Sequence, residues 1–181
     1  MDRSTVIPYL LEVFRKYGYE GATLSRISEV TGLGRASLYH HFPGGKQEMG
    51  KAVLEHVSQL RDQIILKPLR ESGDPVERLK NMMSSLNMFY NNGSEACLIA
   101  IFSLGEPSTL FGDDVKQSLT ILITEIAQVL IEAGLSPELA RHRAEEAIMH
   151  IQGALIVSRG LQSLEPFERV MSELPERLTN R

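Results

Sequence analysis

The chain has 181 residues, of which 43% are hydrophobic and 23% charged, with a formal net charge of −4 and a single cysteine. That length and apolar content can bury a substantial core as one or two domains, and a lone cysteine rules out an internal disulfide. No run of about eighteen apolar residues occurs and the N-terminus is polar and charged, so no membrane span or secretory signal is expected and the cytoplasm is the expected location.

Residues Ser4 to Lys16 place Val6, Ile7, Leu10, Leu11 and Phe14 at helical spacing, and Tyr17-Gly18-Tyr19 closes the pattern. Thr23 suits the N-cap of a second helix with Leu24, Ile27 and Val30 on one side. Gly32 can take positive φ and stop that helix. Leu33 then supplies an apolar plug, and Gly34 opens a third helix through Phe42 that Pro43-Gly44-Gly45 ends. At about 100° per residue, Leu38, His41 and Phe42 share an inward side, while Arg35, Ala36, Tyr39 and His40 point outward with Ser37 flanking them.

Two short helices joined by a glycine turn, the second with this outer face, read as a helix-turn-helix. Arginine can bond a guanine edge bidentately, alanine can touch a thymine methyl, serine and tyrosine hydroxyls reach phosphates or bases, and a helix fits the major groove. The candidate DNA contacts are Thr23, Arg26, Arg35, Ala36, Ser37, Tyr39, His40 and, just past the turn, Lys46. Charge is divided accordingly. Residues 1–51 hold seven Lys/Arg against five Asp/Glu, and no acid lies between Glu29 and Glu48, whereas the remaining 130 residues carry a net −6.

At these residues the chain resembles the TetR family of bacterial transcriptional regulators. The resemblance rests on Phe14, Gly18-Tyr19, Thr23, Gly32-Leu33, the run Leu38-Tyr39-His40-His41-Phe42, and Lys46. The Phe42-Pro43-Gly44-Gly45-Lys46 run is similar to the subgroup of LmrA- and YxaF-like repressors. Two positions depart from the family pattern. Gly34 stands where serine commonly caps the recognition helix, and Ser28 where alanine is common; both are small enough for the fold.

A long pattern from about Lys46 to Leu66 carries Met49, Val53, Leu54, Val57 and Leu60 until Lys67-Pro68 interrupts it. Asp74-Pro75 begins another helix, running through Leu79, Met82, Met83, Leu86 and Phe89 to Asn91-Asn92-Gly93. Glu95 to Leu104 reads as a compact apolar helix with Cys97 as a small buried hydrophobe, and Gly105 to Gly112 as a loop. Asp113 or Asp114 caps Val115 to Glu132, Ser136-Pro137 starts a helix to about Leu161, and Pro166 to about Leu178 makes the last one. No period-2 strand stands out, so the expected fold is all-α. The TetR resemblance implies a three-helix DNA-binding head over 1–46 and a helical ligand-binding and dimerisation domain over 47–181.

Met82, Met83, Phe89 and Phe102, with Met88, Tyr90 and Ile99 nearby, are either core or the lining of a pocket for a hydrophobic small molecule. Ala140, Ala144, Ala147, Ile151, Ala154, Ser158 and Leu161 recur at spacings of four and three. The TetR resemblance implies a four-helix dimer interface that would use this stripe; the alternative is packing inside one subunit. His142, Glu146 and His150 could present metal ligands along one helix face, or simply pair with Arg143 and its neighbours.

No nucleophile elbow, phosphate loop, dinucleotide fingerprint or HExxH motif occurs, so neither an enzyme nor a cofactor is expected. The resemblance implies a homodimer on double-stranded operator DNA, most simply a repressor that a small-molecule effector releases. An all-α adaptor without DNA binding is the competing class, and a metal-dependent helical protein a third.

Overall fold

The structure, a computed structural model, describes residues 2–180. Among them lie eleven α-helices, one π-helical segment and no strand. Helix α1 (Arg3–Gly21) is broken at Gly18, whose φ 71° and ψ 176° are not helical, so the first helical stretch ends at the expected Tyr17-Gly18-Tyr19 closure and a short helical turn follows it. Helices α2 (Leu24–Thr31) and α3 (Arg35–His41) follow, then α4 (Gly45–Leu60). The long pattern expected to reach Leu66 changes to a π-helical segment at Arg61–Ile65 before the short α5 (Lys67–Arg70).

Asp74 accepts from the Glu77 N–H and Ser136 from the Leu139 N–H, so the caps read from the sequence start α6 (Pro75–Phe89) and α10 (Pro137–Leu161). Between them come α7 (Leu98–Phe102), α8 (Glu106–Leu110) and α9 (Gly112–Glu132), and α11 (Glu165–Thr179) closes the chain. Helix α8 occupies what was expected to be a loop. Gly105 at φ 63° turns the chain, and Pro107 in the first turn of α8 lacks the N–H that a helix start would leave unpaired.

The chain divides into two compact units. The first comprises the described residues through Gln59 together with Leu98–Lys116. Its core holds Val6, Leu10, Val13, Ile27, Leu38, Phe42, Met49 and Val53 around a cluster of rings. Phe14 and Tyr19 stack at 5.8 Å, and Phe102 and Phe111 sit 5.0 Å apart and meet Tyr19 edge-on. Burial, then Glu106 and Glu20, push the Tyr19 phenol above its ordinary pKa.

The second unit comprises Leu60–Cys97 and the described residues from Gln117 on. Helix α11 packs against both α10 and α6, burying Phe167, Met171, Leu174 and Leu178 with Leu79, Met82 and Met83. The buried Arg78 guanidinium donates to the Leu69 carbonyl and pairs with Glu132, tying α5, α6 and α9 together.

Candidate nucleic-acid interface

The turn between α2 and α3 is built from local bonds. Thr23 caps α2 by accepting from the Arg26 N–H at 3.3 Å. Gly32, at φ 69°, ends it and returns its N–H to the Ser28 carbonyl. Thr31 is 4% exposed; its hydroxyl donates to the Ile27 carbonyl at 2.6 Å and accepts from the Leu33 N–H at 3.3 Å. This buried hydroxyl closes the turn, a role that sequence spacing did not single out because a threonine at the end of an apolar stripe has no periodic signature.

Helix α3 then exposes one face. Leu38 is fully buried, as is Phe42 just beyond the helix, while Arg35, Ala36, Ser37, Tyr39 and His40 are exposed and His41 is half-buried. That is the division of faces the spacing predicts. The Arg35 guanidinium makes one long 3.5 Å contact to the Ser25 hydroxyl.

Two candidate cations are engaged within the protein. Lys46 Nζ donates to the Tyr19 carbonyl at 3.0 Å and lies 4.3 Å from the Tyr19 ring centroid, joining α4 to α1. Arg26 donates to the Gly21 carbonyl at 2.7 Å and stacks 4.5 Å over Tyr17. Thr23 remains exposed beside its cap bond.

The four candidate ligand residues are divided between the two units. Phe102 belongs to the ring cluster of the first unit, whereas Met82, Met83 and Phe89 lie on α6 in the second. Met82 is fully buried core, and Phe89 is half-buried against Tyr90. Met83 borders a surface groove of about 360 Å³ that Met171, Lys80, Ser84, Asn87 and Glu168 also line.

The small-residue stripe is corrected by burial. Ala140, Ala144, Ala147, Ile151, Ala154 and Ser158 are all buried within a single chain, and the Ser158 hydroxyl accepts from the Phe167 N–H at 3.0 Å, so α10 uses the stripe to seat its own neighbours. Large apolar side chains lie elsewhere on that helix: Met149, Ile156, Val157 and Leu161 are exposed, with Leu164 just beyond. Leu161, which continues the stripe in sequence, thus falls on the exposed side.

His150 places Nδ1 2.8 Å from the Glu146 carbonyl of its own helix, and the Glu146 carboxylate lies 3.9 Å from Arg143. Among the described residues no group of three or more His, Cys, Asp or Glu is arranged to hold a metal ion. Cys97 is buried, and its sulfur accepts from the Tyr90 hydroxyl and the Gln152 amide, each at 3.3 Å.

Residues 10–53 match the model for bacterial regulatory proteins of the tetR family, and residues 75–173, more than half the chain, match that for the C-terminal domain of LmrA/YxaF-like transcriptional regulators. The HTH-type transcriptional regulator LmrA of Bacillus subtilis (strain 168) is 22% identical, over 98% of this chain and 96% of that protein. YxaF of the same organism is also 22% identical, over 96% and 93%. A TetR transcriptional regulator from Legionella pneumophila has the same fold, with a TM-score of 0.81, 21% identity, and coverage of 95% of this chain and 94% of that one. A cysteine mutant of the TetR family regulator CifR, solved with 26bp double-strand operator DNA, aligns with a TM-score of 0.77 at 19% identity, over 99% and 96% of the two chains. With both of its parts matched in order, and with a helix-turn-helix whose outer face is open, this chain belongs to the TetR family of transcriptional regulators, in the LmrA/YxaF-like group, and carries that family's DNA-binding helix-turn-helix domain.

Proposed function

We propose that the protein is a homodimeric repressor that grips operator DNA through the outer face of α3 and is released by a small hydrophobic effector. The observation that carries this reading is the one-sidedness of α3. A seven-residue helix is held by the fully buried Leu38 while five side chains suited to bases and phosphates stand in solvent. In this reading Arg35 reads a base edge, Ala36 meets a thymine methyl, and Ser37, Tyr39 and His40 reach phosphates or bases. Thr23 and Arg26 add contacts from α2, and Lys46 contributes a phosphate contact only by leaving Tyr19.

Residues 1–46 are then the DNA head, and 47–181 take the effector and a second copy, all within the cytoplasm. Among the described residues no helix is long and apolar enough to cross a membrane. The dimer forms on the exposed apolar side of α10, where Met149, Ile156, Val157 and Leu161 would lose water against their two-fold mates. The effector enters beside Met83. Because the chain leaves the first unit at residue 59, inside the helical run that began at Gly45, a shift at either end is transmitted along it to the DNA head.

Retention on a random-sequence duplex column separates this reading from a DNA-free adaptor. A salt-sensitive regulator elutes as salt rises, and Arg35→Ala with Tyr39→Phe elutes earlier; flow-through at low salt would support the adaptor.

A further inference from the structure

Arg3 begins α1, yet its guanidinium acts at the far end of α3. Its Nη1 donates to the His41 carbonyl at 2.8 Å and to Glu48 Oε1 at 2.7 Å, and the group lies 4.7 Å from the centroid of the Phe42 ring. The other Glu48 oxygen accepts from the Gly44 N–H at 2.8 Å. One carboxylate therefore ties the start of α1 to the turn that follows α3. The Gly44 N–H, then the Arg3 bond, hold the Glu48 carboxyl below its ordinary pKa, so the tie stays ionised at neutral pH.

Helix α3 needs such a tie. Seven residues are too few to fix their own ends, and its last carbonyls have no partner inside the helix. Arg3 supplies a partner for one of them and places a cation at the negative end of the helix dipole. Phe42, the C-cap at φ −134° and ψ 76°, is clamped between its buried seat and the overlying guanidinium.

We infer that Arg3 and Glu48 are positioning residues for operator recognition: together they fix the C-terminal end of α3, and with it the aim of Tyr39 and His40, without either one touching DNA. This rests on the reading that the outer face of α3 meets DNA. It makes an unexpected claim about sign. Simple electrostatics holds that removing an anion beside a phosphate-binding surface strengthens binding. Fixing the helix end requires that loss of Glu48 weakens it.

The test uses the full chain and the duplex it enriches from a random pool, with fluorescence anisotropy over a salt series for Arg3→Gln, Arg3→Lys, Glu48→Gln and Arg35→Ala. Circular dichroism at the assay temperature keeps only folded variants in the comparison. Arg3→Gln and Glu48→Gln should each lose about three- to tenfold in affinity, the scale of one lost cap or ion pair. The slope of log affinity against log salt should stay unchanged, and Arg3→Lys should recover part of the loss. Equal or tighter binding by Glu48→Gln overturns the inference. So does a slope reduced by about one unit in Arg3→Gln, which makes Arg3 a phosphate contact. Should Glu48→Gln not fold, Arg3→Gln decides by the same two readouts. If Arg35→Ala binds like the parent, it is the α3-face reading itself that fails.

Discussion

Replacing Gly50 with alanine puts a methyl group where the first unit has no room for one. A Cβ there would lie 2.8 Å from Phe111 Cζ and 3.3 Å from Tyr19 Cε2. Neither ring can easily swing away, since Phe111 is 2% exposed, Tyr19 3%, and both are locked in the same aromatic cluster. Two effects oppose each other. Alanine improves a helix interior by about 1 kcal/mol over glycine, while overpacking a core costs about 1–3 kcal/mol. At 2.8 Å the rings must move, which places the cost in the upper part of that range, so the clash should win by about 1–2 kcal/mol. Urea denaturation followed by far-UV circular dichroism measures the difference. Phe111→Leu in the Gly50→Ala background should be less damaging than in the parent, with a coupling of about 1 kcal/mol. If Gly50→Ala is as stable as the parent or more so, α4 does not approach the rings as closely as argued.

Gly34→Ser should act in the opposite direction. Residue 34 caps α3 at φ −67° and ψ 159° with nothing within 4 Å of a built Cβ, so a serine hydroxyl should add about a few tenths of a kcal/mol in the same denaturation assay. Lys46→Met should lower stability by about 1 kcal/mol through the lost bond to Tyr19, and should reduce the salt slope of DNA binding by about one unit as the phosphate contact made on leaving Tyr19 is lost; an unchanged slope would remove Lys46 from the DNA face. Glu132 is held below its ordinary pKa of 4.5 by Arg78, then by Gln128, so its stabilisation is present above that value and lost as pH falls through the depressed folded one. The melting-temperature gap between parent and Glu132→Gln should therefore be present at pH 7 and close as the pH drops below 4.5, and a gap independent of pH would contradict the pairing.

The faces of α3 and the caps at Thr23, Asp74 and Ser136 were legible in the sequence because each is decided within a few residues by helical period or one hydrogen bond. What depended on distant partners was not. The stripe on α10 could be seen, but spacing does not say whether a neighbouring helix or a second copy covers it, and here the chain covers it itself. Lys46 and Arg26 showed as charges, while the carbonyls that engage them, at Tyr19 and Gly21, carry no sequence signal. Arg3 was passed over for the same reason: its partners lie 38 and 45 residues away. Phe102 looked like a companion of Met82 because both are apolar and central in the chain, yet the fold assigns them to different units.

The most direct test of the central claim, that the outer face of α3 reads operator DNA, is selection of duplexes from a random pool by the parent chain and by Arg35→Ala in parallel. The parent should enrich an inverted repeat. Arg35→Ala should relax base preference at one position in each half-site, worth about 1–3 kcal/mol, while the other positions hold. Enrichment of the same motif with the same preference by both proteins would contradict the claim, as would a parent that enriches no sequence at all.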